Sequence, residues 1–194
     1  MKYLRRLLSF FASRLIAFTA VVALLILAFY LAMNTANIYV LLGDGMKLRA
    51  SVILTREGAE ELPNFFADEF LTRDETLSIG LSNQSPYIDY KITSFNYELS
   101  MEWMWSWPWE DRAQAVIVER VPRIVGSVLS EKKDLVKEGT LSANPPAWYG
   151  GRYAVTLVRA GGQWKIAGLT LRQMIVEPTE TPSASPTPAP APAP

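Results

Sequence analysis

The chain of 194 residues contains no cysteine and no histidine. Without cysteine it has no disulfides, no thiolate metal ligands and no thiol nucleophile, so a folded domain must be stabilised by its core alone. Without histidine it lacks the usual general base near neutral pH and the commonest metal ligand. These absences disfavour most enzymatic mechanisms, and we predict no catalytic residue, no cofactor and no metal site.

Charge is missing from residues 15–33, and no acidic residue precedes Asp44. As a helix, this run of 19 uncharged residues would span about 28 Å, close to the hydrocarbon thickness of a bilayer. The first 14 residues carry a charge of +4, and the rest of the chain carries −4. The four cations are Lys2, Arg5, Arg6 and Arg14.

Positive flanks stay on the cytoplasmic side of a membrane. We therefore predict a cytoplasmic basic segment at 1–14, a single transmembrane helix at 15–33, and the remainder outside the cell membrane. A cleaved signal peptide is the alternative, because it also has a basic start and an apolar stretch, although its apolar core is usually only about 7–15 residues.

The C-terminal residues 178–194 contain seven prolines and no apolar side chain larger than alanine. Such a composition favours extended polyproline II backbone and cannot form a core, so we predict a disordered tail. The intervening residues 38–177 number roughly 140, the size of a single domain.

Hydrophobic spacing within this domain predicts helices first and strands afterwards. Apolar residues recur at helical spacing over 38–56 and again over 62–71, where Pro63 suits a first helical turn. From Ile88 the period becomes two, and its parity changes at Thr93–Ser94, which predicts a bulge or a turn.

Residues 95–109 are predicted to form one long strand or two strands joined by a bend. Further strands are predicted at 113–121, 153–159 and 163–171, with an exposed charged stretch at 131–139. Gly161-Gly162 between the last two indicates a tight hairpin. The predicted fold class is α+β, a curved antiparallel sheet packed with two helices.

The segment LPNFFADEFL, the meander and the closing hairpin YAVTLVRAGGQWKIAGLTL resemble the nuclear-transport-factor-two-like superfamily, also called SnoaL-like or cystatin-like cone. Trp164, Lys165 and Ile166 match the Trp-Lys-Ile-like strand that often ends such proteins. The resemblance covers about residues 38–172. It implies a cone-like fold with a pocket between sheet and helices, and dimerisation through the sheet. Membrane-anchored bacterial members of this organisation look like scaffold subunits of secretion, conjugation or sporulation assemblies, whereas enzymatic members usually rely on an Asp/His arrangement.

Aromatic residues are the strongest local feature of the strands. Trp103, Trp105, Trp107 and Trp109 alternate in phase with Tyr97. We interpret the four tryptophans first as core. The alternatives are an exposed face for a partner, a glycan or the bilayer, or a small-molecule pocket that includes Tyr97.

The loop at 144–149 carries two more aromatic candidates, Trp148 and Tyr149. They would cap the core or contact a partner. The adjacent acidic pairs of the chain are interpreted as solvated ends of elements, because sequence neighbours do not face one another across a cleft.

Three functions are consistent with this sequence. The leading hypothesis is a non-enzymatic interaction or scaffold module of a bacterial envelope assembly, binding itself or another protein. The second is a domain that binds or senses a small ligand or lipid in an apolar pocket. A hydrolase or isomerase that uses carboxylates is the third. The net charge of −4 after the anchor, without a basic stripe, argues against nucleic acid.

Overall fold

A computed structural model describes the backbone of residues 2–107 and 109–175 and the side chains from Arg14 onward within those ranges. It confirms the predicted α+β class, with a long apolar N-terminal helix, short helices and a four-stranded antiparallel sheet. The predicted tail at 178–194 lies outside the described residues.

Helix α1 runs without a break from Lys2 to Thr55, 54 residues in all. At 1.5 Å per residue it is about 80 Å long. It contains both the apolar run and the predicted helix that follows it. Up to residue 37 its described side chains are mostly exposed, whereas from Ile38 one stripe is buried. The buried stripe includes Ile38, Leu42, Met46, Arg49 and Ile53, which recur every three or four residues and so share one helix face.

The predicted helix at 62–71 is wrong as a single element. A 3-10 helix covers Ala59–Asn64, and a separate short helix, α2, covers Asp68–Leu71. Between them Phe66 forms a parallel bridge with Ile166 of the last strand. The Ala67 N–H donates to the Ile166 carbonyl at 2.9 Å, and the Ile166 N–H donates to the Phe65 carbonyl at 2.8 Å. These bonds to the sheet replace the helical bonds that the periodicity predicted.

A further helix, α3, covers Glu75–Leu81 and was not predicted. The Asp74 carboxylate caps it by accepting a hydrogen bond from the Leu77 N–H at 3.2 Å.

The sheet comprises β1 (Tyr90–Trp105), β2 (Arg112–Val128), β3 (Gly150–Ala160) and β4 (Gln163–Ile175), in the order β1-β2-β3-β4. The predicted β3–β4 hairpin is confirmed, with Gly161 and Gly162 at φ of 58° and 83°. β2 is longer than its predicted range of 113–121. Between β2 and β3, a 3-10 turn and helix α4 (Lys133–Lys137) form the exposed charged excursion that the sequence predicted.

Strand β1 is interrupted by three register shifts. The one between Ile92 and Ser94 lies within a continuous strand, so of the two predicted alternatives the structure has the bulge and not the turn. A later shift between Met101 and Trp103 exchanges the two faces, so that Met104 is half-buried while Trp103 and Trp105 are exposed. The prediction that the whole series from Phe95 to Trp109 shares one face is therefore wrong from Trp103 onward.

The core lies between the buried stripe of α1 and the inner face of the sheet. Gly45 permits this close packing, because a Cβ atom there would lie 2.9 Å from the Phe65 Cβ and 3.2 Å from the Ile166 Cδ1. The sheet contributes Ile117, Leu157 and Ile166 to the centre, all fully buried.

Candidate functional site

A cavity of about 830 Å³ opens where α3, the segment before β3 and the end of β4 meet. This volume lies within the range of roughly 300–1,000 Å³ that is typical of small-molecule sites. The cavity is at the end of the sheet opposite the Gly161-Gly162 turn, since Gly150 at the start of β3 pairs with Ile175 at the end of β4. Its apolar lining includes Ile53, Phe70, Ile79, Trp148, Leu169 and Leu171.

The two aromatic candidates of the 144–149 loop both line this cavity but differ in exposure. Trp148 is 8% exposed and packs with the core cluster. Tyr149 is 59% exposed and therefore lies at the opening. The expectation that both would cap the core is thus met by Trp148 alone.

A buried ion pair joins α1 to the cap of α3 in the cavity lining. The Arg49 Nε donates to the Asp74 Oδ2 at 2.6 Å, and the Nη2 donates to the Oδ1 at 2.9 Å. Burial lowers the pKa of Arg49, but the hydrogen bonds and charge of Asp74 outweigh it and leave that pKa raised. Arg49 therefore keeps its charge, and Asp74 compensates it.

Glu119 lies behind this pair, with no solvent exposure. Burial raises its pKa to about 7, although the positive charge of Arg49 and the Tyr97 hydroxyl both lower it. Among the described residues, neither its carboxylate oxygens nor the Tyr97 hydroxyl have a hydrogen-bond partner of standard geometry. Burial, followed by the charge of Glu119, raises the pKa of Tyr97 and that of Tyr153.

We call Arg49, Asp74, Tyr97, Glu119 and Tyr153 the buried polar cluster. Three of its members, Arg49, Asp74 and Tyr153, line the cavity. The cluster sets one acid with a pKa near neutrality beside a compensated ion pair, so this part of the cavity wall offers polar contacts with little net charge.

The sequence indicates Tyr97 only as a candidate pocket or partner aromatic, and Tyr97 does not line the cavity; the other members were missed. Glu119 shares the parity of Ala113, Ala115 and Ile117 in β2, which place it on the inner face. Arg49 lies on the apolar stripe of α1, and Asp74 precedes a helix as an N-cap. Both signals are local, but neither indicates that two residues 25 positions apart meet.

The interpretation of Trp103, Trp105, Trp107 and Trp109 as core is wrong. Their exposed fractions are 49%, 53%, 36% and 68%, and none of the four lines the cavity. The rings of Trp105 and Trp107 meet edge to face with centroids 5.1 Å apart, and those of Trp107 and Trp109 stack at 5.0 Å. We call Trp105, Trp107 and Trp109 the tryptophan cluster.

Of the residues that the topology prediction used, Arg14 is exposed on α1. Lys2, Arg5 and Arg6 lie in the helical backbone, but their side chains are outside the described part. Among the residues described, no group of three or more His, Cys, Asp or Glu side chains could hold a metal ion. One helix in the described ranges, from Arg14 to Thr55, is long and apolar enough to cross a membrane by length and composition.

Comparison of the chain with protein-family models, with curated proteins and with solved structures finds no match to any of them. The resemblance to the nuclear-transport-factor-two-like superfamily therefore stays a prediction, and function must be argued from the site itself.

Proposed function

We propose that this protein is a binding domain for a small, mostly apolar molecule, held at the cell membrane by its N-terminal helix. The cavity of about 830 Å³ carries the proposal. It combines a mainly apolar and aromatic lining with a few convergent polar groups, which is the composition of a small-molecule site.

The charges around the cavity indicate the chemistry of the ligand. Asp74 compensates Arg49, and the pKa of Glu119, raised to about 7, reduces the negative charge behind them at neutral pH. Glu69, Arg73 and Glu75 also line the cavity, and all three are exposed. In the buried part next to Arg49 and Asp74, a neutral polar group fits better than a charged group, because an ion there would lose its hydration beside an ion pair that is already compensated.

Native mass spectrometry of the full chain, released from detergent micelles, tests this function. Ile79→Trp would place a bulky indole in the cavity wall and narrow the space for a ligand, since Ile79 lines it. Leu81→Trp is the matched control, because Leu81 lies in the same helix, is similarly exposed (42% against 39%) and does not line the cavity. We expect a bound mass increment in the wild type and in L81W, and its loss in I79W. A wild type without any increment, or an increment that persists in I79W, would contradict the proposal.

The anchor in this proposal has its N-terminus in the cytoplasm and the domain outside. The charge of +4 before the apolar run supports this orientation. Because the chain has no cysteine, a single introduced cysteine is a unique label. We expect Glu138→Cys, next to α4, to react with a membrane-impermeant maleimide on intact spheroplasts, and Ser9→Cys to react only after permeabilisation. The reverse pattern would overturn the orientation, and a native mass lacking the first thirty-odd residues would show a cleaved signal instead.

A second candidate function is an interaction module of a bacterial envelope assembly, which binds itself or another protein through the outer face of the sheet. The exposed Trp103 favours it, because it pairs in register with the half-buried Val116 on that face. Cross-linking of the full chain in membranes tests this function. Val116→Lys should abolish a cross-linked dimer, whereas Asn96→Lys, on an exposed part of β1 away from Trp103, should not. A wild type without cross-links counts against this function.

A further inference from the structure

The end of the apolar run is fastened to the base of the domain through one side chain. Asn34, the first residue after the run, donates from its Nδ2 to the Ser106 Oγ at 2.8 Å. Its Oδ1 accepts from the Trp164 Nε1 at 2.7 Å. Ser106 directly follows β1, and Trp164 is the second residue of β4. The β1–β2 and β3–β4 connections, at the same end of the sheet, therefore lie level with the end of the apolar run.

Two side chains of the apolar run itself are also shielded from solvent. Leu27 and Leu31 are half-buried, whereas their neighbours in the run are exposed. Leu31 lies about one turn and Leu27 about two turns before Asn34 on the same helix face, in line with the buried Ile38. These two half-buried side chains continue the line of the buried stripe into the last apolar turns of α1.

The tryptophan cluster lies at this same level. Trp105 and Trp107 are the two sequence neighbours of Ser106, and Trp109 stacks on Trp107. All three rings are at least 36% exposed although each contacts another ring. Tryptophan is favoured where one side of the ring is apolar and the other is wet, as at the two interfaces of a bilayer. The next two residues along the turn, Glu110 and Asp111, are exposed and charged, as the headgroup region would permit.

We propose that the tryptophan cluster inserts into the interface of the same bilayer that α1 crosses and holds the base of the domain against the lipid headgroups. This inference rests on the proposed anchor. The bilayer is the occupant favoured over a protein, because the bonds of Asn34 to Ser106 and Trp164 hold this end of the sheet, and the cluster next to Ser106, at the end of the span. A membrane crossed by that span must therefore lie at the level of the cluster.

Lipid quenching of tryptophan fluorescence tests this contact in the full chain. All six tryptophans lie beyond residue 102, so the span itself contributes no signal. The chain is reconstituted into phosphatidylcholine vesicles whose acyl chains are brominated close to the headgroup. We expect strong quenching by the bromolipid and weaker quenching by aqueous acrylamide than that of free tryptophan amide in solution.

Two variants assign the signal. W107F/W109F should lose most of the bromolipid quenching, while W148F, which removes a ring in the cavity wall at the other end of the sheet, should keep nearly all of it. Phenylalanine retains an apolar ring at each position, and far-UV circular dichroism checks that both variants are folded.

Extraction with alkaline carbonate separates this inference from the proposed anchor. If the chain resists extraction, acrylamide quenches the cluster as strongly as free tryptophan amide and bromolipid does not quench it, the contact is overturned and the anchor stands. If carbonate releases the chain, the anchor and the contact both fail. If neither reagent quenches the cluster and a photo-cross-linker at position 109 captures a second copy, the cluster binds protein and the lipid contact is overturned.

Discussion

Arg49 and Asp74 are joined by two hydrogen bonds in the interior of the domain, from Nε to Oδ2 at 2.6 Å and from Nη2 to Oδ1 at 2.9 Å. The pair fixes α3 to the long helix, because the same carboxylate also accepts the Leu77 N–H. Both side chains are under 10% exposed, so the loss of either would leave the other buried without this partner.

Removal of either side chain of this pair should therefore lower the free energy of unfolding. Asp74→Ala leaves the Arg49 guanidinium buried without its counter-ion and removes the cap of α3, and we expect a loss of about 3–5 kcal/mol in the free energy of unfolding. Urea unfolding of the full chain in micelles measures it. Asp134→Ala is the control, since its 2.7 Å contact with Lys137 is fully on the surface (78% and 82% exposed), and such pairs often contribute nothing measurable. Equal stability of the two variants would show that the buried pair is not structural.

The raised pKa of Glu119 predicts a pH dependence of stability. Its pKa is about 7 in the folded chain against an ordinary value of 4.5, so between these values the folded state holds a proton that the unfolded state has lost. Stability should be greatest below the lower value, fall as pH rises to about 7, and level off above it. The total loss should be about 3 kcal/mol.

Glu119→Gln keeps the shape of the side chain but cannot ionise. We expect its unfolding midpoint in urea to change much less between pH 5 and pH 8 than that of the wild type. Glu138→Gln, on the surface next to α4, should retain the wild-type profile. A profile of E119Q that follows the wild type would assign the pH dependence to other groups.

Alanine substitutions at two glycines of α1 should change the stability of the protein in opposite directions. Gly45→Ala would place a Cβ 2.9 Å from the Phe65 Cβ and 3.2 Å from the Ile166 Cδ1 of β4, so the helix must move away from both, at a cost of about 1–3 kcal/mol. Gly43→Ala meets nothing within 4 Å and should stabilise the helix by about 0.5–1 kcal/mol. The shift in thermal midpoint measures both. Stabilisation by G45A would mean that the close helix–sheet contact does not exist.

The side-chain amide of Asn34 should contribute to the stability of the domain, in addition to fixing where the domain lies relative to the apolar run. Asn34→Leu leaves the Trp164 indole N–H and the Ser106 hydroxyl without their partner, and we expect a loss of about 1–3 kcal/mol. Asn37→Leu is the control, because Asn37 is exposed on the same helix and should tolerate the change. Thermal unfolding followed by near-UV circular dichroism compares the two. A loss in N37L as large as in N34L would reflect added hydrophobicity alone.

The features that sequence predicted well are those that a short segment determines by itself. The run of 19 uncharged residues predicts a long helix from composition alone. The hairpin at Gly161-Gly162 follows from the positive φ that its turn requires. The bulge near Thr93 follows from a change of parity within a few residues.

Features that depend on partners distant in sequence were missed. Phe66 and Ala67 leave the helical conformation because Ile166, a hundred residues later, accepts and donates backbone hydrogen bonds there. The bulge at Met101–Trp103 turns the tryptophans outward without a change in the alternation of the sequence itself. The buried polar cluster likewise unites residues from helix, loop and strand, each of which was unremarkable among its neighbours.

The continuity of α1 has a mechanical consequence. The helix continues without a break from the apolar run into the stripe that packs in the core. The proposed span and the domain therefore move together as one rigid body. A bilayer that is thicker or thinner than the run changes the tilt of a span. Any such tilt would swing the whole domain about the base at Asn34, and the cavity, at the far end of the sheet, would travel furthest. Membrane thickness would thereby set the direction in which the cavity opens.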